Sequence, residues 1–584
     1  MKFNLINSLK YRNDIDGLRA IAVLVVIFFH FGYLSNGYLG VDVFFVISGY
    51  LITGIIHNKI LQNNFSVKDF YIRRAKRILP LVSFVTLVSL TLGFFFMLPD
   101  DLENLAQSVI ATNFFNNNTL QILTTKNYWD VVNEFKPLMH TWSLAIEEQF
   151  YFFYPFIFIL INKTRFLYKR TLLVVLIGLT LVSILLYLSS FEQYYKFYLL
   201  PFRFFELSLG GLVAIVSNTK VVKFKTPYVF IIILVSVMCF NFNFLNDDLL
   251  IILTVILTSL ILLSDNHNNG VSKIILENKI IVFLGKISFS LYMWHQIVLA
   301  FYRYIFIQEI HIYNYIIIFI VTLLLSILSY FFIENYFRYK MKTNIVILSL
   351  LTVFLITNIL SLDIYNKSGI VRDVEELDLT TDNRSSNIHS QYNDRIYNYD
   401  NDFISKDKIK ILVLGNSFAR DWANVLIESK YFEQIQISYI YDPSNHPNIT
   451  NRSNQADFIF ISSINKPLFD KFLITNPNVW CVGTKNFGIN MGVFYNYSGS
   501  NYCLQKTPIK SNHLKTNTLQ KKQWGSDHYI DLIEALIDEN MKMPVFTPDC
   551  KFISHDSRHL TQSGAKYVAS IIKNQLTFLD FAND

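Results

Sequence analysis

Residues 11–32 read YRNDIDGLRAIAVLVVIFFHFG and contain the first of many long apolar runs in this chain of 584 residues. Runs of about 18 or more apolar residues are typical of membrane-spanning helices rather than of a soluble core. The composition agrees, because 52% of the residues are hydrophobic and only 16% are charged. The sequence therefore predicts a polytopic α-helical membrane domain over residues 11–362.

Eleven transmembrane helices are predicted in this domain. They cover approximately residues 17–35, 38–56, 79–98, 142–161, 171–190, 199–217, 228–245, 249–264, 281–301, 313–333 and 344–362. If the N-terminus is cytoplasmic, the inner segments hold 21 Lys and Arg residues and the short outer segments hold 4. This asymmetry follows the positive-inside rule and explains the net charge without a nucleic-acid partner. An odd number of spans places everything after residue 362 outside the cytoplasm.

The C-terminal part of the chain has a different pattern. Residues 363–408 are polar and rich in turn-forming residues, which predicts a linker or extended region. From residue 409, short apolar runs such as KILVLG and ADFIFIS alternate with helix-like stretches. This alternation predicts an α/β/α domain over residues 409–580, in which helices cover both faces of a parallel sheet.

Ionisable residues interrupt the predicted membrane spans. Such groups are costly inside a bilayer and usually belong to a site or a pathway. Arginines at the inner mouth would suit a polyphosphorylated cytosolic ligand, and a histidine near carboxylates would suit proton abstraction from a hydroxyl. The alternative is that the arginines only set the topology and that the buried charges pair structurally. The residues concerned are Arg19, His30, Asp42, Glu147, Glu148, Arg203, Glu206, Lys286 and His295.

A serine near the start of the C-terminal domain has the local pattern of a nucleophile. Residues 410–422, KILVLGNSFARDW, predict a strand that ends at a glycine and places Ser417 at the start of a helix. A serine nucleophile needs a neighbouring base, and the base needs an orienting carboxylate. Asp556 and His559, three residues apart near the C-terminus, are candidates for these two roles. Backbone N–H groups at the helix start would form part of an oxyanion hole.

Several motifs, in their order and wording, resemble those of the membrane-bound acyltransferase-3 family over residues 11–340. Besides residues 11–32, they are YLGVDVFFVISGYLIT, FYIRRAKRILP, HTWSLAIEEQFYFFYP, FRFFELSLGG, GKISFSLYMWHQ and SYFFIENYFR. Members of that family move acyl groups, commonly acetyl from acetyl-CoA, to hydroxyls of cell-surface carbohydrates. The resemblance implies a reaction of the same class here.

The resemblance also implies roles for individual residues. Arg19 and His30 match the Arg-x10-His motif of the family, in which the histidine is the essential base. Arg74 and Arg77 match its Arg-x-x-Arg motif, and these two arginines with Arg19 are expected to hold the acyl-CoA. Glu147 matches the glutamate of its WSL-x-x-E pattern and is expected to be catalytic.

The C-terminal domain resembles the SGNH hydrolase domain that is fused to one branch of the same family. Ser417 lies in a Gly-Asn-Ser block where Gly-Asp-Ser is commoner, and Asp556 and His559 give the Asp-x-x-His signature. Gly483 and Asn486 are the candidates for the oxyanion block, although their spacing is one residue wider than the usual Gly-x-Asn. The resemblance implies acyl chemistry at Ser417.

The expected function is O-acetyl transfer from cytosolic acetyl-CoA, across the bacterial inner membrane, to a lipid-linked or surface polysaccharide. The preferred acceptor is lipopolysaccharide O-antigen, and the second is peptidoglycan. Two different functions stay open: a carbohydrate transporter or flippase with a binding tail, and a deacetylase that uses water at Ser417. Acetyl-CoA, the polysaccharide and membrane lipid are the expected partners. No permanently bound cofactor and no metal ion are expected.

The chain has four cysteines, and three of them lie in the C-terminal domain: Cys481, Cys503 and Cys550. An oxidising compartment permits one disulfide there, for which Cys503–Cys550 is the chosen pairing. The alternative is three free buried thiols.

Overall fold

The apolar runs fold into helices, and the alternating C-terminal pattern folds around a parallel sheet. The computed structural model describes residues 11–124, 131–162, 168–217, 226–242, 245–264, 270–306, 310–383, 388–462, 466–472, 474–488, 490–497 and 499–576. The chain divides into two compact units. The first unit comprises residues 1–93, 104–303 and 309–362, and the second comprises residues 94–103, 304–308 and 363–584.

The helices up to residue 366 account for most of the first unit. They are α1 (Asn13–His30), α2 (Gly40–Leu61), α3 (Val67–Phe96), α4 (Pro99–Asn113), α5 (Asn117–Thr124), α6 (Thr141–Asn162), α7 (Tyr168–Tyr187), α8 (Gln193–Tyr198), α9 (Leu200–Ser217), α10 (Tyr228–Cys239), α11 (Asp247–Leu263), α12 (Gly270–Leu276), α13 (Lys279–Lys286), α14 (Ser288–Ile305), α15 (Ile312–Ser329) and α16 (Thr343–Asn366). A helix is therefore present at each of the eleven predicted positions.

Seven helices in the described part of the chain are long and apolar enough to cross a membrane. They are α3, α6, α7, α9, α16, α2 with the turn before it (Gly37–Leu61), and α15 with its continuation (Ile312–Lys340). The bent pair α13 and α14, at 67° to each other, gives an eighth if it counts as one span. Helix α1 carries three charged residues, and α10 and α11 are only 12 and 17 residues long. The polytopic helical domain is confirmed, whereas the total of eleven spans stays a prediction.

Glycines bring α2 and α9 into close contact. A Cβ atom added to Gly49 would lie 1.7 Å from the carbonyl oxygen of Leu207, and one added to Gly210 would lie 1.9 Å from that of Val46. Only residues without a side chain permit this approach, as at other helix contacts in membranes. The contact fixes the position of α2, which supplies one wall of the pocket described below.

The second unit contains a five-stranded parallel sheet. Its strands are β1 (Ile409–Leu414), β2 (Ile435–Ile440), β3 (Phe458–Ile461), β4 (Val479–Val482) and β6 (Tyr529–Ile530), in the spatial order β2-β1-β3-β4-β6. Strands β5 (Lys506–Pro508) and β7 (Lys542–Pro544) form a separate antiparallel pair. Its helices are α17 (Ile388–Asp394), α18 (Ser417–Ile427), α19 (Ile449–Gln455), α20 (Lys466–Phe469), α21 (Met491–Tyr495), α22 (Ser511–Trp524), α23 (Leu532–Leu536) and α24 (Gln562–Ile571).

Strand β1 is buried on both faces, as the sequence predicts for a sheet covered on both sides. Ile411 and Val413 belong to one apolar cluster, and Leu412 and Leu414 belong to another. Successive side chains of a strand point to opposite faces, so the two clusters lie on the two faces of the sheet. Because β1 lies between β2 and β3, the chain changes direction across the sheet at its end, where ligands of open α/β folds bind.

The described residues between 363 and 408 do not form an extended linker. Val374, Leu377 and Ile396 are buried in the apolar core of the second unit. These apolar residues are isolated among polar ones, so composition alone does not predict their burial. Residues 384–387 of this segment, and residues 577–580 at the end of the predicted α/β/α domain, lie outside the described residues.

A disulfide joins Cys503 and Cys550 in the second unit, whereas Cys239 and Cys481 are free thiols. The bridge closes a chain segment with a sequence separation of 47 residues. Restricting the unfolded chain in this way stabilises the folded state by about 4 kcal/mol in the loop-entropy account.

We expect maleimide to label two thiols in the denatured, unreduced protein and four after reduction, as counted by intact-mass spectrometry. A Cys503→Ser variant is the matched control and should show three labelled thiols in both conditions. Four reactive thiols in the unreduced wild type would contradict the bridge.

Candidate functional site

Ser417 begins helix α18 directly after a tight turn at the end of β1. Gly415 adopts a φ of +127°, and a Cβ atom on it would lie 2.2 Å from the carbonyl oxygen of Ser462. Asn416 caps the helix, since its side-chain oxygen accepts a hydrogen bond of 3.1 Å from the N–H of Phe418. The turn and the cap together place the serine hydroxyl at the carboxyl end of the sheet.

The structure brings Ser417, His559 and Asp556 together. The Nε2 atom of His559 lies 2.9 Å from Oγ of Ser417, and its Nδ1 atom lies 2.6 Å from Oδ2 of Asp556. An ionised carboxylate only accepts hydrogen bonds, so Nδ1 carries the hydrogen and Nε2 offers a lone pair to the hydroxyl. Burial alone would raise the pKa of Asp556, but the hydrogen bond from His559 and the charge of His555 hold it well below its usual value. This geometry suits proton abstraction from the serine.

A second histidine, His555, supports the loop that carries Asp556. Its Nδ1 atom lies 2.9 Å from Oδ2 of Asp100, which belongs to the same unit although it is 455 residues away in sequence. Burial opposes the charge on His555, but the hydrogen bond to Asp100 and the nearby carboxylates raise its pKa to about 9. His389 stacks on His555 with ring centroids 5.4 Å apart, and burial and the charge of His555 lower its pKa to about 4. Asp100 was not predicted, because no local pattern links it to the C-terminus.

A buried ion pair joins the elements around the triad. Oδ2 of Asp421, one turn after Ser417 on α18, lies 2.8 Å from Nζ of Lys485, and both side chains are at most 3% exposed. The same oxygen accepts a hydrogen bond of 3.1 Å from the N–H of Leu560, the residue after His559. Breaking this pair would therefore disturb both the serine and the histidine.

The two predicted oxyanion residues differ in their surroundings. The N–H of Gly483 donates a 2.9 Å hydrogen bond to the carbonyl oxygen of Ile530, so it is not available to a substrate oxygen. Gly483 continues the hydrogen bonding of β4, which does not favour the oxyanion role, and that role stays a prediction. Asn486 is buried, and the N–H of the next residue, Phe487, bonds to the carbonyl oxygen of Ser557 in the Asp556–His559 loop. Asn486 therefore lies beside the triad loop and remains a candidate.

His555, Asp556 and His559 also form a group whose ligand atoms lie within 4.8 Å of one another. The hydrogen bonds described above already engage Nδ1 of both histidines and Oδ2 of Asp556. These contacts fit a hydrogen-bonded triad better than a metal centre, and the expectation that no metal is needed stays a prediction.

In the first unit, a pocket collects four of the predicted residues. Arg19, Arg74, Arg77 and Glu147 line it, together with an apolar wall from α2 and α6 that includes Phe44, Phe45 and Leu144. The pocket encloses about 780 Å³, counting the space at its mouth. Cations that lie beside an apolar wall are suited to a ligand with phosphates at one end and an uncharged chain at the other.

Glu147 is held in this pocket by two neutral donors. Its Oε1 atom accepts a hydrogen bond of 2.8 Å from Oγ of Ser48, and its Oε2 atom accepts one of 3.3 Å from the hydroxyl of Tyr151. The guanidinium of Arg74 lies 4.2 Å from the centre of the Tyr151 ring. The family-derived arginines and the glutamate therefore share one site, as the resemblance implies.

His30 does not line this pocket but belongs to a cluster of three histidines. Its ring centroid lies 5.1 Å from that of His295, which in turn lies 5.3 Å from that of His140. Tyr292 links the two places, because it lines the pocket and its ring lies 5.2 Å from that of His140 and 5.3 Å from that of His295. The predicted topology places His140 and His295 in the outer half of the membrane, but no role was predicted for either residue.

Three further charged residues of the predicted spans pair with one another. Nη1 of Arg203 lies 2.7 Å from Oδ1 of Asp42 and 2.8 Å from Oε1 of Glu206, and all three side chains are at most 3% exposed. This cluster joins α2 to α9, which favours a structural role for these three residues.

A polytopic helical domain whose pocket holds three arginines and a carboxylate defines a membrane-embedded enzyme. Residues 12–333 match the family described as "Acyltransferase domain", which is more than half of the chain, and the protein belongs to this acyltransferase family. The match ends before the parallel sheet of the second unit. The protein is thus a multi-pass membrane acyltransferase.

Two relatives are named for their reaction. A protein of Staphylococcus aureus that is provisionally named an O-acetyltransferase is 32% identical over 357 residues, which are 58% of this chain and 59% of that protein. The O-acetyltransferase OatA of Staphylococcus aureus is 31% identical over 355 residues, which are 57% of this chain and 58% of OatA. The chain thus covers less than two thirds of the length of these relatives. No solved structure matches it.

The Asp421–Lys485 pair gives a prediction about stability. We expect Lys485→Met to lower the free energy of unfolding by about 3–5 kcal/mol, because it leaves a buried carboxylate without its cation. The matched control is Lys521→Met, whose partners Asp531 and Glu534 form a half-exposed network that should contribute less than about 1 kcal/mol. Denaturant unfolding of the purified protein measures both. Equal effects of the two variants would contradict the assigned importance of the buried pair.

The Asp100–His555 pair gives a prediction about pH. The pKa of His555 is raised from an ordinary 6.5 to about 9, so the pair stabilises fully below pH 6.5 and loses this contribution as the pH rises through 9. A shift of this size corresponds to a contribution on the order of 3 kcal/mol. We expect Asp100→Asn to lower the melting temperature at pH 6 and to differ little from the wild type above pH 9.

The control for this pH series is Asp363→Asn, which removes an exposed pair with Lys367. It should leave the pH profile of the melting temperature unchanged. A deficit of Asp100→Asn that stays constant from pH 6 to pH 10 would contradict a charged His555.

Proposed function

We propose that this acyltransferase is an O-acetyltransferase that takes acetyl from acetyl-CoA on the cytoplasmic side and delivers it to hydroxyls of a cell-surface polysaccharide. The observation that carries the proposal is the pocket in which Arg19, Arg74 and Arg77 lie beside Glu147 and an apolar wall. The names of the two relatives support O-acetyl transfer as the reaction.

The positive charge of the pocket supports acetyl-CoA as the acyl donor. Guanidinium groups bind phosphate oxygens in pairs, and coenzyme A carries phosphates at one end of a long chain. Its pantetheine arm would follow the apolar wall, so that the thioester reaches the deeper part of the pocket. The excess of Lys and Arg in the predicted inner segments supports a cytoplasmic mouth and a cytoplasmic N-terminus.

Acyl transfer needs a base for the acceptor hydroxyl, and we assign this role to His30. His30 takes the hydroxyl proton while the oxygen attacks the thioester carbon, and the C–S bond then breaks. The departing thiolate receives the proton, so that an ester and a thiol are formed and the charges balance. The half-buried position of His30 supports access by an acceptor.

Ser417 supplies a second acyl-transfer step outside the cytoplasm. His559 takes the serine proton as Oγ attacks the carbonyl carbon of the ester formed in the first step, and Asp556 stabilises the resulting imidazolium. The C–O bond of that ester then breaks, and the departing alcohol oxygen receives the proton from His559. The acyl-serine then passes its acyl group to a glycan hydroxyl, which gives its proton back through His559. The short contacts among these three side chains support this assignment. The amide nitrogen of Asn486 would bind the oxyanion.

The acceptor is a glycan of the bacterial cell envelope. The residues of the N-terminal motifs favour lipopolysaccharide O-antigen, and peptidoglycan is the second acceptor to be tested. The names of the relatives specify O-acetyl transfer but no acceptor. With an extracytoplasmic second unit, an inner-membrane location gives the protein access to both glycans.

We expect His30→Ala and Ser417→Ala each to reduce acetylation of the glycan by at least about 100-fold, because each removes a group on which proton transfer or the covalent step depends. Mass spectrometry of O-antigen sugars and of muramic acid measures the loss and identifies the acceptor. His57→Gln is the control, since His57 is buried against Tyr168 and lines no part of the pocket.

The outcomes separate the competing functions. Unchanged acetylation in His30→Ala would refute the assignment of His30 as the base for the acceptor hydroxyl. Unchanged acetylation in Ser417→Ala would limit the second unit to binding the acceptor. An increase in Ser417→Ala would identify the second unit as a deacetylase.

A further inference from the structure

His295 is a fully buried histidine with one nitrogen left unused. Its side chain is 0% exposed, and its Nδ1 atom lies 2.5 Å from the carbonyl oxygen of Tyr292. A carbonyl oxygen only accepts hydrogen bonds, so Nδ1 must carry the hydrogen. In the neutral ring, Nε2 is then a bare lone pair. Within the described residues, this buried Nε2 atom has no hydrogen-bond partner.

An unsatisfied buried acceptor costs about 1–3 kcal/mol, so its presence in a well-packed helix requires a reason. The His30 ring lies beside it, with the two centroids 5.1 Å apart. A ring nitrogen lies about 1.2 Å from its centroid, so an N–H···N bond of about 2.9 Å joins rings whose centroids are about 5 Å apart. The two rings therefore lie close enough for a direct imidazole–imidazole hydrogen bond once they are oriented for it. The His140 ring lies 5.3 Å from that of His295, but it is fully buried, so an acceptor cannot reach it.

The two histidines differ in how accessible they are. His30 is half-buried, whereas His295 behind it is completely enclosed. An acceptor hydroxyl can thus reach His30 but not His295. Tyr292, whose carbonyl fixes the tautomer of His295, also lines the arginine pocket. Tyr292 therefore connects the histidine pair to the proposed acyl-CoA site.

We propose that His295 is a positioning residue for His30 and shares its proton during acyl transfer. This inference rests on the proposed function. In the proposed reacting geometry, the His30 ring turns to donate one N–H to Nε2 of His295, which leaves its other nitrogen as the base for the hydroxyl. When His30 takes the hydroxyl proton, its first proton shifts to Nε2 of His295, and the positive charge spreads over two rings. The proton returns through His30 to the thiolate when the C–S bond breaks.

The test uses two variants of the full-length protein that separate the base from its support. His295→Asn keeps an N–H near Nδ1 that can bond to the carbonyl of Tyr292, and it removes the base. His295→Gln places an amide oxygen near Nε2, which can accept a hydrogen bond from His30 but cannot take its proton. His57→Gln is the matched control for loss of a buried histidine in the same unit.

Turnover is measured in detergent with radiolabelled acetyl-CoA, and with O-antigen and peptidoglycan fragments as acceptor probes. We expect His295→Asn to lower kcat by about 100-fold, within the range of general acid–base effects, with the KM for acetyl-CoA unchanged. We expect His295→Gln to be intermediate and to lose the part of the solvent isotope effect on kcat that arises from the second proton. His57→Gln should match the wild type in all three quantities.

The failures of the inference and of the proposed function are distinguishable. Wild-type kcat and isotope effect in both His295 variants, with an inactive His30→Ala, would overturn the relay and leave the proposed function intact. A rise in KM without a fall in kcat would also overturn it, since it would make His295 part of the donor site. Label transfer to neither probe by the wild type would refute the proposed function itself.

Discussion

Both units of this protein bury ionisable side chains away from water, and each buried group needs a partner that replaces its lost solvation. Removing a charge from water costs several kcal/mol unless a partner of opposite charge or a set of hydrogen bonds replaces the lost solvation. Most deeply buried groups here meet this requirement, for example Arg203 with Asp42 and Lys485 with Asp421. The exceptions are informative. Arg74 and Arg77 line the pocket, where Glu147 is the single carboxylate among the lining residues, whereas Arg19 also pairs with Asp16. His295 has a buried nitrogen without a partner among the described residues.

Each unit contains a histidine whose Nδ1–H is held by an oxygen acceptor, and the acceptor differs between the two units. In the second unit, the carboxylate of Asp556 holds Nδ1 of His559 and directs Nε2 at a hydroxyl. In the first unit, the carbonyl oxygen of Tyr292 holds Nδ1 of His295 in the same way. A carboxylate stabilises a neighbouring imidazolium more strongly than a neutral carbonyl does. In the proposed mechanism, His295 would therefore hold a proton briefly, whereas His559 would hold it through a covalent step.

Local patterns made part of this structure predictable. Long apolar runs located the helices of the first unit. The alternation of short apolar stretches with helix-like stretches located the parallel sheet of the second unit. Ser417, Asp556 and His559 were found because a strand–serine–helix junction and a three-residue spacing are short-range signals. Contacts between residues far apart in the sequence were not predictable from such patterns. Asp100 meets His555 across 455 residues, and Gly483 is engaged in the sheet, which no spacing rule reveals. The number of spans depends on helix lengths that hydropathy does not fix.

Asn416 has a consequence beyond capping its helix. An aspartate in that place would cap α18 equally well and would add a negative charge next to the nucleophile. The neutral amide leaves the helix terminus with its own partial positive charge, about half an elementary charge, uncompensated by a side chain. In the proposed acyl transfer, negative charge that develops on an acyl oxygen beside Ser417 would meet an attractive field instead of a competing anion. Compared with an aspartate at this position, Asn416 would therefore stabilise the anionic intermediate of the proposed reaction more strongly than the resting protein.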